Sequence, residues 1–188
     1  MSPGIRKLAL TAHVTSSVGW LGAVAAFLAL ALAGLTTQDP EQARGAYLAL
    51  ELTGWYVIVP LAFASLLTGL VQSLGSTWGL FRHYWVLAKL VLTVLATFLL
   101  LLHMQVVSQV ADAAARTNLS ASNLGGMRVQ LVADAAAAVA VLVTTTALSI
   151  YKPRGITRYG WRVQNEERAD RSSATAAEKT ASSAPTRA

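Results

Sequence analysis

Four ionisable side chains lie inside long apolar stretches of the sequence: His13, Lys89, His103 and Asp134. An ionisable group at membrane depth costs about 2.5 to 3.5 kcal/mol on insertion scales, so each one is a candidate functional residue. An imidazole can ligate a metal ion or carry a proton, and a neighbouring carboxylate can hold it in one tautomer. A lysine can bind an anion or act in catalysis.

His13 and Lys89 are expected to contribute to one site. At 1.5 Å per residue, both lie about 8 Å inside the boundary at which their apolar stretches begin. Trp20 follows His13 by seven residues and therefore shares its helix face. We predict a pocket in the inner half of the membrane, in which His13, Lys89 and Trp20 bind a cofactor and Lys89 is the candidate catalytic residue. The alternative is that His13 bonds between helices and that Lys89 extends to the lipid headgroups.

His103 belongs to a different level of the membrane. It follows Lys89 by 14 residues, which corresponds to about 21 Å along a helix, so the two cannot share a small site. We expect His103 to lie in the outer half with Asp134, whose carboxylate could orient the imidazole. His103 is the second candidate metal ligand, after His13.

The histidine spacing limits the kind of haem site that the sequence could form. Two axial histidines must lie at nearly one depth because both bind the same iron. His13 and His103 differ in depth by about 20 Å, and His13 and His83 by about 9 Å. The sequence therefore disfavours bis-histidine ligation and leaves one haem b or porphyrin, with His13 as a single axial ligand.

The residues that position these groups form four long apolar stretches, at about 8–35, 52–74, 85–107 and 129–150. Of all 188 residues, 54% are hydrophobic and only 13% are charged, and each stretch has the roughly 20 residues needed to cross a bilayer. The stretches are apolar on all faces, which is typical of lipid-exposed helices. The predicted fold class is an all-α, polytopic membrane protein, built as a four-transmembrane-helix bundle.

The charge distribution predicts the orientation. Arg6 and Lys7 precede the first stretch, and several basic residues between 152 and 162 follow the fourth, whereas the loops on the other side mix basic with acidic residues. By the positive-inside rule, both termini face the cytoplasm and the chain is a multi-pass protein of the inner (plasma) membrane. A cleaved signal peptide does not fit, because the first apolar stretch is too long.

The chain is expected to form one transmembrane domain, residues 1–165, followed by a disordered cytoplasmic tail, residues 166–188, which is poor in large apolar residues. The basic residues flank the membrane stretches without an aromatic platform or recognition helix, so nucleic acid is not an expected partner. Small residues such as Gly19, Gly22 and Gly69 favour close helix packing or a homo-oligomer. The expected partner is the lipid bilayer.

Two short motifs resemble a known group of bacterial membrane proteins. They are His13-Val-Thr-Ser-Ser-Val-Gly-Trp20-Leu-Gly22 and Trp85-Val-Leu-Ala-Lys89-Leu90. The chain resembles an uncharacterised family of predicted integral membrane proteins common in actinobacteria and, more distantly, HemJ-type protoporphyrinogen oxidases and the membrane domain of CopD copper-resistance proteins. The resemblance covers roughly residues 8 to 108. The HemJ resemblance implies that His13 and Lys89 correspond to that family's important histidine and lysine, with haem or porphyrin bound nearby.

Two hypotheses about function follow from the sequence. The first is a haem- or porphyrin-associated redox protein with its pocket at His13 and Lys89. The second is a non-enzymatic membrane protein whose polar groups serve helix packing or partner docking. Copper transport has little support, because the chain has no cysteine and only three methionines. Solute transport lacks the broken helices and repeated halves typical of transporters.

Overall fold

Every regular element of the computed structural model, which describes residues 2–74, 84–116, 122–151 and 157–182, is helical. The elements are α1 (Pro3–Thr36), α2 (Pro40–Thr53), a π-helical turn (Gly54–Ile58), α3 (Val59–Leu74), α4 (Tyr84–Ala115), α5 (Ser122–Tyr151) and α6 (Arg158–Ser182). Four helical stretches are long and apolar enough to cross a membrane: Pro3–Thr36, Pro40–Leu74, Tyr84–Ala115 and Leu124–Tyr151. The predicted all-α bundle of four membrane-spanning helices is confirmed.

Neighbouring helices of the bundle run antiparallel. His13, near the start of α1, bonds to Ser65 in the second half of α3, and Lys89, near the start of α4, bonds to Ser149 near the end of α5. Both α1 and α4 pack against α2, α3 and α5. We call the end of the bundle where α1 begins and α5 ends the terminal face, and the opposite end the far face.

The first far-face connection is much shorter than the sequence indicated. Residues 36–51, which separate the first two predicted apolar stretches, were expected to be a connecting loop that could hold a short surface helix, but α2 already begins at Pro40. The Asp39 side chain accepts a hydrogen bond from the backbone N–H of Glu41, 3.0 Å away, and Pro40 suits the first helical turn. The predicted second span, 52–74, is therefore the latter part of a helix that runs from Pro40 to Leu74.

A π-helical turn lies within this long helix. The backbone N–H of Val59 donates to the carbonyl of Gly54, five residues earlier. Pro60 follows directly; it has no N–H, and its ring would press on the carbonyl four residues back in a regular helix, which the wider turn relieves. Gly54 also lets α4 approach, because a Cβ there would lie 2.5 Å from Cε of the fully buried Met104.

A further helix lies in the segment predicted to be a tail. Residues 166–188 were expected to be disordered; the structure describes Arg158–Ser182 as a helix, α6, and residues 183–188 lie outside the described part of the chain. The segment is rich in Ala, Glu and Arg, which are strong helix formers. Its described side chains between 165 and 175 are all exposed, so helix propensity rather than burial stabilises it. A composition too polar for a core indicated disorder, but it does not exclude an exposed helix.

Candidate functional site

A cavity of about 490 Å³ lies between α1, α4 and α5. Its back wall is formed by Trp20, Val24 and Phe27, which are 3 to 5% exposed and recur on one face of α1 because they are spaced by four and three residues. Ile58 of the π-helical turn also lines it. Small-molecule and cofactor sites commonly enclose about 300 to 1,000 Å³ behind mostly apolar walls, so this cavity is the candidate binding site.

His103 and Asp134 form the polar part of the cavity wall. The imidazole Nδ1 of His103, on α4, lies 2.9 Å from Oδ2 of Asp134, on α5. An ionised carboxylate only accepts hydrogen bonds, so this contact assigns the ring proton to Nδ1. The structure thus contains the histidine–carboxylate contact that the sequence predicted.

The other ring nitrogen of His103 is buried and has no hydrogen-bond partner among the described residues. In the neutral ring with its proton on Nδ1, Nε2 carries a free lone pair. The ring is also held by Phe27, whose centroid lies 6.0 Å away at an interplanar angle of 61°. A buried polar atom without a partner is costly, and the side chain that carries it lines the cavity.

Trp20 belongs to this cavity rather than to the pocket predicted for it. The sequence placed Trp20 with His13 because the two share a helix face. Their separation of seven residues, however, carries the indole about 10 Å along α1 toward the far face. There it is 4% exposed and contributes to the back wall of the cavity that His103 lines.

His13 joins α1 to α3. Its Nδ1 lies 3.1 Å from the carbonyl oxygen of Ser65 and 3.2 Å from Oγ1 of Thr68. The Thr68 hydroxyl donates its own proton to the carbonyl of Ala64, 2.6 Å away, so Nδ1 is the donor in both histidine contacts. Ser17 adds a 2.7 Å hydroxyl contact with Ser65. These bonds match the helix-packing alternative for His13, which does not line the cavity.

Gly69 makes room for the His13 ring, and this gives a test of the packing role. A Cβ at Gly69 would lie 2.9 Å from Cε1 of His13, whereas a Cβ at Gly22 would have no neighbour within 4 Å. We expect Gly69→Ala to lower the free energy of unfolding by about 1 to 2 kcal/mol through overpacking. Gly22→Ala, the matched control, should instead raise the free energy of unfolding by about 0.5 to 1 kcal/mol through helix propensity. Unfolding by SDS in mixed micelles measures both, and equal shifts would contradict the close contact.

Lys89 joins α4 to α5. Its ammonium donates to Oγ of Ser149, 2.5 Å away, and the Ser149 hydroxyl donates to the carbonyl of Thr145, 3.0 Å away. The sequence predicted one site for Lys89 and His13. The two side chains bond to different helices, and neither lines the cavity. A catalytic role for Lys89 stays a prediction.

Helices α4 and α5 face each other at three levels, which are seven residues apart on α4 and seven and eight residues apart on α5. From the terminal face, the levels are marked by the pairs Lys89 and Ser149, Ala96 and Leu142, and His103 and Asp134. Polar bonds thus join the helices at the first and third levels. The second level is apolar, and its two residues line the cavity.

A cluster near the far face was not found by sequence reasoning. Arg128 donates from Nε to the hydroxyl of Tyr47 and from Nη2 to the carbonyl of Gly34, both over 2.6 Å. Its guanidinium carbon also lies 5.3 Å from the centroid of the Tyr47 ring. We call Arg128, Tyr47 and Gly34 the far-face cluster. The helical spacing of Ala43, Tyr47 and Leu50 was the available signal that Tyr47 is buried.

Metal binding by side chains alone has no basis in the part of the chain that the structure describes, since no group of three or more His, Asp or Glu side chains is arranged around a common point there. A metal held by a prosthetic group needs only one protein ligand. Comparisons of the chain with protein-family models, curated proteins and solved structures give no match. A function must therefore be argued from the site itself.

Proposed function

We propose that the protein binds haem b or a related metalloporphyrin in the cavity between α1, α4 and α5, where His103 would be the one side chain that binds its metal. The observation that carries this proposal is the state of His103: Nδ1 bonds to Asp134 while the buried Nε2 has no partner among the described residues. Histidines that ligate metals commonly donate their other ring N–H to a carboxylate, which fixes the tautomer and raises the basicity of the ligand.

The rest of the cavity suits a flat, apolar ring. Trp20 and Phe27 offer aromatic surfaces opposite α4 and α5, and the volume of about 490 Å³ is that of a cofactor site. Met104 also lines the cavity but directly follows His103 on the same helix, so it cannot ligate the opposite side of the same metal. The proposed site therefore has one protein ligand.

Each residue would have a distinct part in holding the group. A haem supplies one-electron redox chemistry, or a site for a small ligand, at its iron. His103 would donate the lone pair of Nε2, and Asp134 would hold the proton on Nδ1. Val24, Phe27 and Trp20 would exclude water and lower the local dielectric, which tunes the redox potential.

This proposal keeps the class of function that the sequence favoured and changes the protein residue that would bind the metal. The resemblance to HemJ-type protoporphyrinogen oxidases implied haem or porphyrin at His13 and Lys89. In the structure those two residues bond to Ser65 and Ser149 instead. The resemblance supports porphyrin-associated redox chemistry, and the free nitrogen beside a cavity favours His103 as the residue that binds the metal.

We further propose that the protein lies in the plasma membrane with both termini in the cytoplasm. The support is the distribution of charge: Arg6 and Lys7 lie at the terminal face, where acidic residues are lacking in the first turns of α1, whereas Asp39, Glu41 and Asp112 lie at the far face. An excess of basic residues marks cytoplasmic loops.

An absorption spectrum of the purified protein in detergent tests the proposed function. We expect a Soret band, either as purified or after titration with haemin to one equivalent per chain. A size-exclusion step removes loosely bound haemin, so a specifically bound pigment must co-elute with the protein. A colourless protein that takes up no haemin under these conditions would overturn the proposal.

That outcome would favour the second candidate, a non-enzymatic membrane protein whose polar residues hold the helices together. The specific observation behind it is that His13 bonds to Ser65 and Thr68 and that Lys89 bonds to Ser149. Hydrogen bonds of this kind between membrane helices are worth about 0.6 kcal/mol on average.

A further inference from the structure

The cavity is closed in both directions along the bundle axis. Toward the far face, Val107 of α4 follows Val106, the last lining residue of that helix, and is 1% exposed. Toward the terminal face, Thr145 of α5 lies beyond Leu142, the last lining residue of that helix, and is 8% exposed. Nothing as large as a porphyrin passes such closely packed layers without local unfolding.

The cavity is open on the side that faces lipid. Leu99 and Leu102 of α4 line it and are nevertheless 60% and 48% exposed. They lie between the two levels at which polar bonds join α4 to α5, well inside a membrane-spanning helix. In a bilayer, the surface beside them is in contact with acyl chains rather than with water.

Small residues leave the gap between the helices. Ala96 on α4 and Ala135, Ala137 and Ala138 on α5 all line the cavity. The Lys89–Ser149 bond and the His103–Asp134 bond hold the helices together on either side of these residues. The contact between α4 and α5 is therefore fixed at its two polar levels, and the space between those levels is not filled by side chains.

We propose that the ligand enters and leaves this cavity sideways from the lipid, through an opening between α4 and α5 whose mouth is formed by Leu99 and Leu102. The ligand is accordingly a molecule dissolved in the membrane. The inference rests on the proposed function only for the identity of that ligand as a metalloporphyrin. Its route follows from the lining of the cavity.

The competing route is aqueous and passes the polar side of the mouth. Gln130 lines the cavity and is exposed, and the side chain of Asp134 is 44% exposed. A ligand from water would pass these residues, whereas a ligand from lipid would pass Leu99. The two routes can be blocked separately.

Quenching of Trp20 by brominated acyl chains distinguishes the routes without any haem. A variant that keeps Trp20 as its sole tryptophan, with Trp55, Trp78, Trp85 and Trp161 replaced by Phe, is reconstituted in vesicles of mid-chain brominated phosphatidylcholine. Circular dichroism verifies the fold of each variant. Although Trp20 is only 4% exposed, we expect clear quenching relative to unbrominated vesicles, because acyl chains reach it through the mouth.

Leu99→Phe in this background should reduce the quenching about twofold or more, since the larger ring fills the opening. Leu95→Phe is the matched control: Leu95 is on the same helix and 52% exposed but does not line the cavity, so quenching should not change. Absence of quenching in the parent variant, or equal effects of the two substitutions, would overturn the inference. So would a loss of quenching with Gln130→Phe and not with Leu99→Phe. Because no haem is present, failure here is separate from failure to bind haemin.

Discussion

Replacing His103 with alanine is expected to abolish the Soret band that haemin forms with the purified protein, while His13→Ala leaves that band in place. The reason is the position of the free imidazole nitrogen: Nε2 of His103 is buried and without a partner among the described residues, and the ring lines the cavity. His13 uses Nδ1 for bonds to α3 and does not line the cavity. Titration with haemin, followed by absorbance and size exclusion, measures the effect.

Asp134→Asn is the intermediate variant in this series. It keeps the size of the side chain and removes the charge that holds the proton on Nδ1 of His103. Loss of such a supporting group commonly lowers metal affinity about 10- to 100-fold, so we expect a weaker but detectable band. Loss of the band in His13→Ala with retention in His103→Ala would contradict the proposal and return the ligand to the pocket predicted from the sequence.

The sequence was sufficient for the bundle and for the depth of its polar residues. Four apolar stretches of sufficient length predict four helices, because a backbone in lipid must bond to itself. Counting residues along those helices paired His103 with Asp134, and the structure has that contact. Depth follows directly from the rise per residue, which is the same in every α-helix.

The rotation of each helix about its axis could not be predicted in the same way. Helices that are apolar on all sides carry no periodic pattern to show which face is inward. Trp20 was assigned to the pocket of His13 because the two share a helix face, but the rise over seven residues places its side chain about 10 Å further along α1, in the cavity beside His103. The cavity itself depends on three helices at once, through small residues such as Ala96 and Ala138, and no single stretch of sequence contains that information.

The far-face cluster shows the same limit in a polar setting. Arg128, Tyr47 and Gly34 are far apart in sequence and belong to α5, α2 and α1. Their contact depends on α2 being a long helix that begins at Pro40, where the sequence predicted a loop that could hold a short surface helix. Once α2 begins at Pro40, Tyr47 faces inward and is 1% exposed, so its hydroxyl requires a partner inside the protein.

Replacing Arg128 with methionine is expected to lower the free energy of unfolding by about 3 kcal/mol, because a hydrogen bond to a charged group contributes about 1.5 to 3 kcal/mol and this residue makes two. The substitution leaves the buried Tyr47 hydroxyl and the Gly34 carbonyl without their donor. It also removes a positive charge from the C-terminal end of α1, where a cation is favourable. SDS-induced unfolding in mixed micelles, followed by circular dichroism, measures the loss.

Arg44→Met is the matched control for this change. Arg44 lies at the same end of the bundle, but its contact with Glu41 is 3.9 Å long and the two side chains are 41% and 77% exposed. Such a pair contributes about 0 to 1 kcal/mol. Arg128→Lys should fall between the two, since an ammonium keeps the charge but cannot reproduce the fixed fork of the guanidinium. Equal losses in Arg128→Met and Arg44→Met would show that the far-face cluster does not stabilise the bundle.

Stability and ligand binding should respond separately to these substitutions. The far-face cluster does not line the cavity, so Arg128→Met should still take up haemin wherever it remains folded. His103→Ala removes a ring whose Nε2 has no partner among the described residues, so it should lose the pigment at a smaller cost in stability than Arg128→Met. If Arg128→Met abolished haemin binding while the circular dichroism of the bundle was intact, the assignment of binding to the cavity would fail.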